Sequence, residues 1–92
     1  MASYEKDKQE ILNRLRRMEG QLRGIQRMVE RDEYCIDVLT QLTSIMAAPQ
    51  RVGDVILRDH IQGGVRNSLT DGTSSDVAIN ELIEAVQRFR RV

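Results

Sequence analysis

Apolar side chains recur along this chain with a helical period. Ile11, Leu15, Met18, Leu22, Ile25 and Val29 follow one another at gaps alternating between four and three residues. That alternation is a heptad seam, so the spacing predicts one amphipathic helix over about residues 5–31. A second seam of Cys35, Val38, Leu42, Ile45, Pro49, Val52 and Ile56 keeps the same alternation. It predicts a helix over about residues 34–62, kinked at Pro49 because proline lacks an N–H and crowds the preceding turn. Gly63 and Gly64 weaken that helix near its end. Asp71–Ser75 reads as a loop with a capping residue, followed by a short helix carrying Val77, Leu82, Ile83, Val86 and Phe89. No segment alternates like a strand, so the expected class is all-α with three helices per chain.

At 92 residues with 40% apolar composition, one small domain over residues 1–92 is expected. A chain this short buries too little surface to be stable comfortably alone. Two long apolar stripes and a short one do not close a core, whereas two antiparallel helix pairs close a four-helix bundle. The expected minimum unit is therefore a homodimer. No apolar run approaches the roughly 20 residues needed to span a bilayer. The N-terminal MASYEKDKQE has no apolar signal core, so a cytoplasmic protein without membrane partners is expected. The single cysteine excludes an internal disulfide and a CxxC-type zinc site.

Basic and acidic side chains cancel at 14 each, but they are unevenly spread. Residues 8–27 hold six basic side chains against two acidic ones, and residues 28–37 hold four acidic against one basic. Three scattered aromatics are too few for a base-stacking platform, so any bound nucleic acid is expected to be a duplex held by its backbone. On a helical wheel Arg16, Gly20, Arg23 and Arg27 lie opposite the first seam, with Arg14 and Arg17 on its flank. Gly20 and Gly24 each cost about 1 kcal/mol relative to Ala in a helix. That cost suggests a neighbouring helix or phosphate close to the backbone there. Most arginine-rich helix faces are simply solvated, so the wheel alone leaves both readings open.

Cys35 and His60 are the only thiol and the only imidazole, 25 residues apart. On one helix they share a face within about 20° but stand about 37 Å apart, so a single chain does not join them. An antiparallel pairing centred near Ala47 and Ala48 puts Cys35 of one chain beside His60 of the other. Two such donors are one short of a trigonal Cu(I) site and two short of a tetrahedral zinc site. A seam cysteine also reads as a small buried hydrophobe, and a lone histidine as a core or solvated one. No nucleophile motif or phosphate-cradling glycine loop is present, so no enzyme is expected.

The stretch NRLRRMEGQLRGIQRMVERDEYCIDVLTQL (Asn13–Leu42), with RDHIQGGV (Arg58–Val65) and AINELIEAV (Ala78–Val86), resembles the CsoR/RcnR/FrmR family of small bacterial repressors. The resemblance covers nearly the whole chain, and RRMEGQLRGI and the Cys35-to-His60 spacing are its most specific elements. It implies a dimer of antiparallel helix pairs, usually paired again into a flat tetramer, that binds double-stranded operator DNA. An effector at the intersubunit Cys/His site releases the DNA. By the same resemblance Cys35 and His60 are the metal ligands, and Tyr34 and Glu81 link a bound metal to DNA affinity. Arg14 and Arg51 match the family's DNA-contacting arginines, and Arg17 joins them from the wheel. No helix-turn-helix signature is present, so specificity is expected from phosphate contacts and duplex shape.

The copper sensors of the family carry another cysteine four residues after the histidine, where this chain has Gly64. The nickel and cobalt sensors place a histidine there and another near the N-terminus, where this chain has Ser3, Tyr4 and Glu5. Persulfide sensors use two cysteines. Formaldehyde sensors need one reactive cysteine and an N-terminal amine, which Ala2 would supply once Met1 is removed. The effector therefore stays open between Cu(I) or Zn(II), with ligands completed from elsewhere, formaldehyde or another electrophile, and a lost response. A purely structural helical oligomer is the alternative class, and it would show neither salt-dependent DNA binding nor an effector response.

Overall fold

The computed structural model of the chain describes residues 3–65 and 75–90. A 3-10 turn at Glu5–Asp7 leads into α1 (Lys8–Glu30), followed by α2 (Cys35–Ile45), α3 (Ala47–Asp59), a π-helical turn (His60–Val65) and α4 (Ser75–Arg90). No strand occurs among the described residues, so the all-α reading holds. Of the loop expected at Asp71–Ser75, residues 71–74 lie outside the described residues and Ser75 is already the first residue of α4.

The second long helix is interrupted earlier than the sequence suggests. Met46 keeps helical dihedrals (φ −62°, ψ −31°), yet its N–H donates to the Thr43 carbonyl at 3.3 Å, three residues back. Pro49 explains the position. It has no N–H for the Ile45 carbonyl, and its ring crowds that same carbonyl. The ladder therefore fails just after Ile45, and Pro49 falls in the first turn of α3, where a missing N–H costs little. Hydroxyls of Thr40, Thr43 and Ser44 donate to the carbonyls of Ile36, Leu39 and Gln41 at 2.8, 2.9 and 2.7 Å. Such back-bonding bends helices and adds to the irregularity here.

Helix α1 ends in a Schellman turn. Glu33 N–H donates to the Met28 carbonyl at 3.0 Å and Asp32 N–H to the Val29 carbonyl at 3.1 Å. The motif needs a left-handed residue, supplied by Asp32 at φ 56°. Aspartate tolerates that region better than most side chains. The turn delivers Tyr34 as the residue before α2 and Cys35 as its first residue.

The chain divides into two compact units, Asp7–Asp54 and a second comprising Val55 onward with the segment before Asp7. In the first unit α1 packs on α2. Each seam is split by register. Ile11 and Ile25 are buried and Met18 half-buried, while Leu15, Leu22 and Val29 are 38%, 47% and 60% exposed. Val38 and Ile45 are half-buried and Val52 buried, while Cys35, Leu42 and Pro49 are exposed. One heptad register faces the chain's own core and the other is left open.

In the second unit the α-helical ladder stops at Asp59 and widens into the π-helical turn that contains both Gly63 and Gly64. A Cβ on Gly63 would stand 3.3 Å from the Ser3 Cβ, so the N-terminal segment crosses the turn closely and would have to give by a few tenths of an ångström to admit one. Asp59 is buried, with Lys6 Nζ and Arg58 Nε each 3.7 Å from its Oδ1. The π-helical turn contacts α4. Leu82, Val86 and Phe89 of α4 are half-buried, whereas Val77 and Ile83 are exposed.

Candidate functional site

Three arginines singled out by sequence converge. Arg14 and Arg17 of α1 and Arg51 of α3 line one cleft of about 220 Å³, together with Met18, Gln21, Ser44, Ala47 and Ala48. Arg14 and Arg17 share a helix flank. Arg51 joins them because Ala47 and Ala48 are small enough to form the cleft wall one turn before it. The result is a cleft lined by three guanidinium-bearing side chains, two alanines, Met18 and the polar Gln21 and Ser44. Guanidinium forks match the tetrahedral oxygens of phosphate, and charge-assisted bonds to oxyanions are among the stronger hydrogen bonds.

Gln21 and Ser44 were not anticipated from sequence, although each had a signal. Gln21 lies seven residues after Arg14 on the same face of α1, and Ser44 lies seven before Arg51, a heptad spacing that the sequence places on one face although the break at Met46 puts them on α2 and α3. Other arginines of α1 have partners on their own exposed face. Arg23 pairs with Glu19 at 3.5 Å, and Arg16 donates to Asn13 Oδ1 at 3.4 Å. No close approach at Gly20 or Gly24 occurs among the described residues. A Cβ at either would meet nothing within 4 Å.

The four residues that the resemblance assigns to effector sensing lie on exposed positions. Cys35 is a free, exposed thiol at the N-terminus of α2, next to Tyr34, which is 68% exposed. His60 is exposed at the start of the π-helical turn, and Glu81 is exposed on α4. Tyr34 and Cys35 belong to the first unit, His60 and Glu81 to the second. Among the described residues no group of three or more His, Cys, Asp and Glu could hold a metal ion. A thiol and an imidazole are donors suited to a soft cation. Buried Asp59, directly before His60, was not anticipated either. It ties the base of the His60 turn to Lys6 of the N-terminal segment.

A family model described as "metal-sensitive transcriptional repressor" matches residues 7–88. The chain belongs to this family. It is 42% identical over 86 residues to the copper-sensing transcriptional repressor CsoR of Bacillus subtilis, covering 94% of this chain and 84% of that protein. It is 39% identical over 89 residues to the copper-sensing transcriptional repressor RicR of Mycobacterium tuberculosis, covering 96% and 93%. Among solved structures it is similar to the copper-sensing repressor CsoR with Cu(I) from Geobacillus thermodenitrificans, with a TM-score of 0.85 and 38% identity over 92% of this chain and 88% of that one. It is also similar to the nickel-responsive transcriptional regulator InrS, with a TM-score of 0.74 and 36% identity over 88% and 90%. As a member of the metal-sensitive repressors, the chain has its arginine cleft and its thiol on one helical pair. Cys35 opens α2, and Ser44 in the last turn of the same helix lines the cleft. No helix among the described residues is long and apolar enough to cross a membrane.

Proposed function

We propose that residues 1–92 act as one homo-oligomeric domain that holds operator DNA through Arg14, Arg17 and Arg51 and releases it when Cu(I) binds at Cys35. The convergence of the three arginines on one cleft carries this reading, in a chain of a repressor family. Phosphates seated there account for affinity without a recognition helix, and duplex shape accounts for choice of site.

The open heptad register supports a second copy as the partner. Leu15, Leu22, Val29, Leu42 and Pro49 form the apolar surface that it would cover, and Cys35 lies on that same register. Antiparallel docking brings His60 of the second copy toward Cys35. Tyr34, adjacent to Cys35, and Glu81 are proposed to couple this site to the cleft. Cu(I) would be held by the Cys35 thiolate and the His60 imidazole, and would supply a charged anchor for both. The lever is α2 itself. Cys35 and Ser44 are nine residues apart, about 14 Å along the helix axis. A ligand that prefers one placement of the α2 N-terminus shifts the cleft's equilibrium by its differential affinity and no more. Gly64 carries a second reading, in which an aldehyde reacts with the lone thiol of Cys35 in place of a metal.

A fluorescent duplex selected by the protein from random-sequence DNA tests the cleft. Arg14→Ala and Arg51→Ala should each weaken binding and lower the log–log salt slope by about one for each phosphate that is no longer neutralised. Unchanged affinity in both variants would remove the cleft from the interface. Sedimentation of the free protein should show a dimer or tetramer at micromolar concentration, and a monomer would contradict the intersubunit site.

A further inference from the structure

Arg14 differs from its neighbours in the cleft. Its guanidinium is already engaged, with Nε and Nη2 donating to Glu10 Oε1 at 3.3 and 3.1 Å. Both donors of one guanidinium edge therefore converge on one carboxylate oxygen. Among the described residues Arg17 and Arg51 have no such carboxylate partner. A phosphate oxygen would use the same edge, because carboxylate and phosphate both present oxyanions to the guanidinium fork.

We propose that Glu10 is a built-in competitor for DNA phosphate at Arg14, on the reading that the cleft is the phosphate site. Without DNA the carboxylate occupies the guanidinium edge of Arg14. A duplex must displace it. Glu10 and Arg14 are one helical turn apart, so the displaced carboxylate stays near the incoming phosphate and repels it. The pair is exposed at both ends, at 36% for Arg14 and 52% for Glu10, so exchange requires no unpacking. The effect sets a threshold. A phosphate alone gains little by replacing one oxyanion with another. A duplex that engages Arg17 and Arg51 at the same time binds two guanidinium groups that have no internal competitor.

The test is a double-mutant cycle read by anisotropy on the same selected duplex. Glu10→Gln keeps length and helix propensity and removes the charge. It should tighten binding about twofold per engaged protomer from the strength of an exposed i,i+4 pair, hence about fourfold for two. The salt slope should steepen, since one more positive charge faces the backbone. In an Arg14→Ala background the same substitution should give a clearly smaller gain. Glu10→Asp keeps the charge on a shorter arm that reaches Arg14 less well, so it should give an intermediate gain. Equal gains with and without Arg14 would make Glu10 a background charge and overturn the proposal, as would no gain at all. Circular dichroism of each variant distinguishes these outcomes from unfolding. If the parent protein itself fails to bind duplex DNA, the cleft reading falls and the inference falls with it. If the parent binds and Glu10→Gln is silent, only the inference falls.

Discussion

Cys35→Ala protein is expected to bind its duplex as tightly as the parent and to stay bound at every concentration of Cu(I) or formaldehyde. The expectation is a complete loss of response, because Cys35 is the only thiol in the chain and both chemistries need one. The affinity should be spared for a separate reason. Cys35 is exposed at the first residue of α2 and does not line the arginine cleft. Alanine also favours the helix more than cysteine does, so the substitution costs the fold little. An inducible Cys35→Ala variant would move the sensing site away from this residue.

Gly64→Cys is expected to raise Cu(I) affinity by at least about a hundredfold. Thiolates dominate the affinity of soft Cu(I), and Gly64 supplies no donor. Changes to groups that only orient metal ligands already shift affinity by about 10–100-fold, so adding a donor atom should do at least as much. The position lies in the same π-helical turn as His60, four residues further on. Competition with a Cu(I) chelator of known affinity measures the difference. Equal affinities for the parent and Gly64→Cys would show that Cys35 and His60 bind Cu(I) tightly without a third thiolate. They would also refute the view that Gly64 weakens the site.

Periodicity carried the fold a long way. Both seams were legible because a helical stripe repeats over many residues, and the expected dimer rests on the same stripes. The register that stays exposed was not legible, since Leu15 and Ile11 look alike in a sequence and differ only once α1 has packed on α2. The break at Met46 falls a turn before the expected kink because proline disrupts the carbonyl four residues behind it rather than its own position. Gly63 and Gly64 announced a weak helix end but not a π-helical turn. At the site, one wheel put Arg14 and Arg17 on a shared flank and added Arg17, while Arg14 was named as a DNA contact by resemblance. Arg51 was matched only by resemblance, and its arrival in the same cleft depends on tertiary packing. Buried Asp59 gave no signal, because a carboxylate in a charged helix looks solvated until its neighbours are placed. Gly20 and Gly24 meet nothing among the described residues, which leaves phosphate or a second copy as the group their openness would admit.

The most direct test is a Cu(I) titration of the preformed complex between the parent protein and its selected duplex, followed by anisotropy under strictly anaerobic conditions. The account predicts salt-sensitive binding before the titration and full release of the duplex as Cu(I) is added, with Cys35→Ala protein unmoved over the same range. A parent complex that keeps its DNA once Cu(I) has saturated the thiol, or that releases it equally with Cys35 removed, would contradict it.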